Sequence, residues 1–252
     1  MLVAQRRDLL MDRLRRDGRL VAKDLAAELG VTEDSVRRDL RELAAAGLCQ
    51  RVYGGALPVS PAVANYATRA GVAPDSKQRV AAAAARLVQP GSTLLLDGGT
   101  TALAVAHALP PELAVNVVTH SPTVAVALVD HPKAEVYLLG GRLFKHSVVT
   151  CGAAAAEAAQ AVQADVFLLG VTGVHHQAGL TTGDPDEAAM KRTLASRAAD
   201  TYVLASTEKI GAASPFTVLP LTSISGVITD APGDHAVLQQ LQRAGIPIIS
   251  AR

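Results

Sequence analysis

Two groups of residues in this sequence have the types and spacing to do chemistry. The first is the arginine set in "VTEDSVRRDLRELAAAG" (31–47), where Arg37, Arg38 and Arg41 follow Ser35. Guanidinium groups hold a permanent charge and a planar fork of donors, which suits phosphate or the O6/N7 edge of guanine. The second group is a series of short glycine- and hydroxyl-rich stretches, each placed just after an apolar run. They read "DGGTT" (97–101), "THS" (119–121), "GGR" (140–142), "GVTG" (170–173) and "STEK" (206–209). Glycines let backbone N–H groups approach an anion, and hydroxyls plus a helix N-terminus complete a phosphate cradle. "DGGTT" opens a helical stretch and is the best of them: Gly99, Thr100 and Thr101 are expected on phosphate, with Gly98 beside them. Arg142, Lys145 and Lys209 would add positive charge, and His120 ends a strand on the side where a ligand would lie.

The remaining chemistry-bearing residues point elsewhere. His175 and His176 are adjacent rather than four apart on a helix, which reads as a loop and not as a metal site. No metal and no cofactor are expected. No nucleophile elbow, Walker motif or HExxH occurs in the chain. Cys49 and Cys151 stand in unrelated contexts and read as reduced residues.

The arginines need a helix with one buried face. Val36, Leu40 and Leu43 recur at helical spacing and form that face. Arg38 and Arg41 then fall opposite the core, with Arg37 on one flank and Ser35 on the other. Thr32 is placed to cap the helix, with Glu33 and Asp34 in its first turn. Upstream, "RRDLLMDRLRR" carries Leu9, Leu10 and Leu14, and "VAKDLAAELG" carries Val21, Leu25 and Leu29 before the stop at Gly30. Downstream, "LCQRVYGGALP" alternates briefly and turns at Gly54-Gly55, as a small β-wing does. Two helices, a tight turn, an arginine-bearing helix and a wing predict a helix-turn-helix that docks in a major groove.

Residues 6–58 resemble the winged helix-turn-helix of the DeoR family of bacterial transcriptional regulators, through "VTEDSVRRDL" and "GLCQRVYGGA". Tyr53 stands where that family usually has histidine. The expected DNA contacts are Ser35, Arg37, Arg38 and Arg41, with Arg51 and Tyr53 from the wing.

From residue 77 onward, short apolar runs alternate with alanine-rich helical stretches. The runs lie near 92–97, 114–119, 134–140, 165–170, 201–206, 225–230 and 246–250. Such runs, apolar on both faces, predict an α/β fold with a mostly parallel sheet, doubly wound or a close variant, whose ligands bind beyond the carboxyl ends of the strands. Between the two textures, 59–76 has few charges and two prolines and reads as a partly helical linker that crosses between the domains. The expected organisation is a DNA-binding domain at 1–58, the linker at 59–76 and an α/β effector-sensing domain at 77–252.

This larger part is similar to the DeoR-family sensor domain, through "LLLDGGTTALAVAHAL", "LLGGRLFKHSVVTCG", "GLTTGDPDEAAMKR" and "LASTEKIG". The resemblance implies a fold like that of ribose-5-phosphate isomerase, a phosphorylated sugar as effector, and Asp97, Thr100, Thr101, Gly141, Glu187 and Lys209 near it. His120 and Ser206 stand where the family often has asparagine and aspartate.

Composition fits this reading. Of 252 residues, 49% are hydrophobic and 19% charged, a globular balance with no run long enough to span a bilayer. The start of the chain has no apolar signal region, so a cytoplasmic protein is expected. Residues 1–57 hold 11 Lys+Arg against 9 Asp+Glu, a net +2; the rest holds 13 against 14, a net −1. The basic bias lies where the DNA contacts are expected. The leading expectation is a homodimeric or homotetrameric repressor of a sugar or related carbon-metabolism operon. Its partners would be double-stranded operator DNA and a phosphosugar. The alternative is a sugar-phosphate isomerase with an added DNA-binding domain, using Glu187 as base and Lys209 as electrostatic stabiliser. A third reading reserves the larger domain for assembly alone.

Overall fold

The computed structural model describes residues 2–252. Helix α1 (Val3–Asp17) runs into a two-residue strand β1 (Leu20–Val21), followed by α2 (Ala22–Leu29) and α3 (Glu33–Ala45). Strands β2 (Gln50–Val52) and β3 (Gly55–Leu57) make an antiparallel wing, and β1 joins it by pairing with β3. Leu10, Leu14, Leu20, Leu25, Val36, Leu40 and Leu43 form the core of this unit. Each of its leucines contributes about 1.5–3 kcal/mol by leaving water. One expectation is corrected here: Val21 is not on the buried face of α2. It pairs with Gly55 in the wing and is exposed, while Leu20 takes the buried place.

The stretch expected to be a partly helical linker does carry helix. A 3-10 turn (Pro61–Val63), the short helix α4 (Tyr66–Ala70) and the first residues of α5 (Pro74–Ala85) fall inside it. It is also held to the larger unit: the Tyr66 amide donates to the His146 carbonyl at 2.8 Å, and Val59 bridges Ala213.

The rest of the chain is β4 (Thr93–Leu96), α6 (Thr100–Ala108), β5 (Val115–Thr119), α7 (Pro122–Ala127), β6 (Ala134–Leu138), β7 (Arg142–Phe144), β8 (Val149–Cys151), α8 (Ala153–Gln160), β9 (Ala164–Gly170), β10 (Gly173–His175), β11 (Gly179–Thr182), α9 (Pro185–Ala195), β12 (Ala198–Leu204), β13 (Phe216–Thr217), β14 (Gly226–Thr229), α10 (Ala236–Arg243) and β15 (Ile248–Ser250). Seven strands pair in parallel in the order β15-β14-β12-β9-β4-β5-β6. All seven apolar runs seen in the sequence are these strands.

Strand alternation sends side chains to both faces. Leu94, Leu96, Leu168 and Leu204 pack with α5, α6 and α7; Leu95, Phe167, Leu169 and Val203 pack with α8, α9 and α10. Alanine-rich helices suit this arrangement because they approach the sheet closely. The chain enters the sheet at β4, builds β5 and β6 on one side, then crosses back to β9. The switch point therefore lies between β4 and β9, and their carboxyl ends open a crevice there. The hairpin β7–β8 and the small antiparallel sheet β10-β11-β13 lie beyond the main sheet. The sequence reading did not expect them. His175 ends β10 and is buried, a strand residue rather than the loop residue expected.

Candidate functional site

The first site is the outer face of α3 and the wing. Thr32 caps α3 by accepting from the Ser35 amide, and its hydroxyl also meets the Ser35 hydroxyl at 2.9 Å. Asp39, one residue past the arginine pair, points inward and is almost fully buried. The Arg6 and Arg7 guanidinium groups of α1 donate to it, so α3 is pinned to α1. Arg38 and Arg41 are exposed and make no ion pair among the described residues. Arg37 is engaged by Glu33 at 2.7 Å, an exposed pair that a phosphate would replace at little cost. Arg37, Arg51 and Tyr53 line one groove between α3 and the wing. Tyr53 is fully exposed at the tip of the hairpin. A cation-lined groove beside a protruding helix can take a nucleic-acid backbone and present donors to base edges.

The second site lies at the switch point of the sheet. It is lined by Gly98, Gly99, Thr100 and Thr101 after β4, Thr172 after β9, Glu187 and Lys191 on α9, Glu208 and Lys209, and Arg69 and Lys77 from α4 and α5. The glycines are required by geometry. A Cβ at Gly98 would sit 2.1 Å from a Val149 methyl, and Gly99 has φ +95 at the head of α6. The chain thereby turns sharply enough for the first N–H groups of α6, which have no intrahelical partner, to face the cavity.

Asp97 organises this loop from behind. It is fully buried and accepts four bonds: from the Gly98 amide at 2.8 Å, the Gly170 amide at 2.8 Å, Lys191 Nζ at 2.6 Å and His120 Nε2 at 2.7 Å. Burial by itself would raise its carboxyl, but Lys191 and His120 outweigh that and hold it well below the ordinary carboxylate range. Burial likewise works against the Lys191 ammonium, and Asp97 with Glu187 leaves it raised and charged.

The cavity wall carries more positive charge than it neutralises. Lys209 Nζ donates to Thr101 Oγ1 at 3.0 Å and to the Leu204 carbonyl at 3.3 Å. Burial, followed by the nearby Lys77, Arg69 and Lys191, pulls it down to about 8 despite Glu208. Burial also lowers Lys77 and Arg69. Arg69 Nε and Nη2 are shut away from solvent with no hydrogen-bond partner among the described residues. Hydroxyls, helix N-terminal amides and unneutralised cations around one small space can hold a small anion.

The expected effector residues fall into three places. Gly98, Gly99, Thr100, Thr101, Glu187 and Lys209 line the cavity. Asp97 and His120 lie behind it; His120 is wholly buried, with Nδ1 2.9 Å from the Thr150 carbonyl. Gly141, Arg142 and Lys145 are not among its lining residues. A Cβ at Gly141 would meet Ala155, and Arg142 is exposed and paired with Asp186 at 2.8 Å. The sequence reading missed Arg69, Lys77, Lys191 and Glu208. Lys191 follows Glu187 by one helical turn, a spacing that places both on one face of α9. Arg69 is the one charged residue between Pro58 and Asp75, which is the signal that stretch offered. Cys49 and Cys151 are free and buried. Among the described residues no cluster of metal-ligand type occurs, and no helix is long and apolar enough to cross a membrane.

Two family models match the chain: "DeoR-like helix-turn-helix domain" over residues 6–62 and "DeoR C terminal sensor domain" over residues 72–231. The HTH-type transcriptional regulator GlpR of Haloferax volcanii is 32% identical, covering 92% of this chain and 91% of that protein. The glycerol-3-phosphate regulon repressor of Escherichia coli K12 is 29% identical, covering 94% of each. Among solved structures, ribose 5-phosphate isomerase A of Methanocaldococcus jannaschii matches 54% of each chain at 19% identity, with a TM-score of 0.41.

Proposed function

The chain belongs to the DeoR family of transcriptional regulators, and on that premise we propose that it is a repressor of a sugar or related carbon-metabolism operon, switched by a phosphorylated sugar. The observation that carries the effector reading is the cavity at the head of α6. Arg69, Lys77, Lys191 and Lys209 converge there on Gly98–Thr101, with two Arg69 nitrogens unpaired. A phosphate monoester supplies the missing acceptors, and Glu187 stands by to accept from a sugar hydroxyl. The relative named for glycerol 3-phosphate is named for an anion of this class.

The DNA side of the proposal rests on α3 and the wing. Arg38 and Arg41 reach base edges or phosphates from α3, Ser35 and Arg37 contact the backbone near its N-terminus, and Arg51 and Tyr53 track the flanking groove. The active form is a homodimer or homotetramer, because paired half-sites supply specificity. Val126, Val129, Tyr137 and Leu138, exposed beside the free edge strand β6, support self-association there. The protein works in the cytoplasm on double-stranded operator DNA.

The pocket serves binding and not turnover. Asp97 holds Lys191 and His120, and Lys209 is engaged by Thr101 and the Leu204 carbonyl, which leaves Glu187 as the group of the enzyme alternative without a fixed partner. Incubation with ribose 5-phosphate or hexose phosphates should give no product; turnover abolished in Glu187→Gln would instead make the protein an isomerase.

Thermal unfolding against a panel of sugar phosphates tests the effector. A ligand of the folded state at a hundred times its Kd stabilises by about 2.7 kcal/mol. One compound should raise the melting temperature, Thr100→Ala and Lys209→Ala should abolish the rise, and the same compound should release the protein from its operator. Operator affinity should fall steeply with salt, and Arg38→Ala and Arg41→Ala should reduce it. No response to any phosphorylated compound would overturn the effector reading.

A further inference from the structure

We infer that Arg69, carried on the segment joining the DNA-binding unit to the sheet, is a direct ligand of the effector's phosphate, so that the effector acts on the DNA-binding unit by gripping this connector. The inference rests on the phosphosugar reading and adds to it a binding residue and a route of regulation.

The geometry comes first. The cavity at the head of α6 encloses about 30 Å³. That is room for no more than two or three waters at roughly 10–15 Å³ each. A neighbouring cavity of about 140 Å³ is lined by Val63, Phe144, His146, Ser147, Asp184 and Glu187, among others. Arg69 and Ala62 of the connector line both cavities, together with Ser147, Thr172 and Glu187. Small-ligand sites usually run to roughly 300 Å³ or more. A phosphosugar seated with its phosphate at Gly98–Thr101 outgrows the first cavity, the second lies beyond Arg69, and the connector is one of the walls such a ligand would press or draw in.

Chemistry then assigns the contact. A guanidinium with Nε and Nη2 buried and unpaired is costly unless an acceptor arrives. Nη1 of the same group lies 3.7 Å from the position of a Cβ on Gly99, the residue that heads α6. The guanidinium thus borders the head of α6, so a phosphate bound by the α6 amides lies beside it, and guanidinium and phosphate match as a bidentate pair once the fork turns toward it. Lys77 donates to the Arg69 backbone carbonyl, which holds α4 in place while leaving the guanidinium free.

Connectivity supplies the regulation. The wing strand β3 ends at Leu57, and the chain runs from there through Pro61–Val63 directly into α4. Few bonds hold this stretch to the larger unit: the Tyr66 amide to the His146 carbonyl, His146 Nε2 to the Val63 carbonyl at 2.9 Å, the Val59 bridge to Ala213 and the Lys77 bond to the Arg69 carbonyl, and none of them reaches a strand of the seven-stranded sheet. A ligand that repositions Arg69 shifts the root of the wing without any change in the seven-stranded sheet. A ligand shifts an equilibrium only through contacts that differ between states, and the Arg69 contact is such a contact.

Amide hydrogen exchange and calorimetry on the full chain test this, using inorganic phosphate and each of a panel of sugar phosphates. In the wild type, an effective sugar phosphate should slow exchange in both 98–104 and 61–73. Arg69→Ala should weaken binding by roughly tenfold to a hundredfold, as loss of charged hydrogen bonds does. At saturation it should still protect 98–104 but no longer 61–73; Arg69→Lys should fall between. Without ligand, Arg69→Ala should melt no lower than the wild type, because it removes an unsatisfied buried charge. A purely structural arginine would lower it. Inorganic phosphate alone should protect both segments weakly, which separates the phosphate contact from contacts to the sugar. If the wild type protects 98–104 while Arg69→Ala binds within threefold of it, or while 61–73 never responds, the phosphosugar reading stands and this inference falls. If no phosphate compound changes exchange anywhere, both fall together.

Discussion

Lys209 is the pocket residue whose charge is most responsive near neutral pH. Burial, with Lys77, Arg69 and Lys191 close by, brings its ammonium down to about 8. It is protonated below that pH and neutral above it. A bound phosphate would favour the ammonium, so binding should draw in a proton near pH 8. Affinity for the effector should therefore hold below pH 7.5 and decline from pH 8 toward 9, by at most about tenfold per unit. Calorimetry in buffers of different ionisation enthalpy reads both the affinity and the proton taken up. Lys209→Arg, which stays charged, should flatten the profile. An affinity unchanged between pH 7.5 and 9 in the wild type would show that Lys209 does not face the phosphate. Asp97 cannot produce this effect, since its carboxyl is held far below neutrality.

At the scale of elements, α3 depends on one buried carboxylate for its orientation. Asp39 is 1% exposed, and its partners Arg6 and Arg7 are 11% and 29% exposed. Removing one member of a buried pair strands the other, and the partial exposure of the arginines softens the penalty. Asp39→Ala should destabilise the N-terminal unit by roughly 2–3 kcal/mol in urea titration. It should weaken operator binding while leaving the sugar-phosphate melting shift intact; loss of both would mean that the two units unfold as one. The sequence pattern placed α3 well, because Val36, Leu40 and Leu43 repeat at helical spacing and Thr32 caps locally. All seven parallel strands were legible as short runs apolar on both faces, three of which end in or run into glycine. Val21 was misplaced because a strand of two residues has no period of its own, and its pairing to Gly55 is a long-range contact. Arg69 was invisible as a site residue because no local pattern carries it to Gly99. Lys145 and Arg142 looked suitable from their position after a strand, yet β6 is the edge strand, and its carboxyl end lies away from the switch point.

The two units of the whole molecule meet across clefts in which histidines of the larger unit face arginines of the smaller. One cleft is walled by Arg15, Arg16 and Arg19 on one side and His175, His176 and His235 on the other; a second sets Arg51 and Tyr53 of the wing against His175. His175 Nδ1 accepts from the amides of Gln177 and Ala178, at 3.2 and 3.3 Å, a role open only to an unprotonated nitrogen. Burial, then His176 and Arg19, lowers its pKa to about 4. A histidine lowered in the folded state keeps its full contribution to stability above its ordinary value near 6.5. That contribution is lost as pH falls from there toward 4, because the unfolded chain binds the proton first. Unfolding free energy should therefore fall between pH 6.5 and 4.5 with a slope approaching about 1.4 kcal/mol per pH unit, and melting temperature should fall with it. This window lies above the one in which Asp97 would protonate, so the two effects separate on the pH axis. His175→Asn keeps an acceptor for the two amides and cannot take the proton, and it should remove most of the slope. If the variant titrates like the wild type, the acid sensitivity belongs to ordinary carboxylates and not to the histidine face between the units. Because Arg19 lies on the DNA-binding unit, an accompanying increase in radius of gyration in the wild type alone would show that the units part before either unfolds.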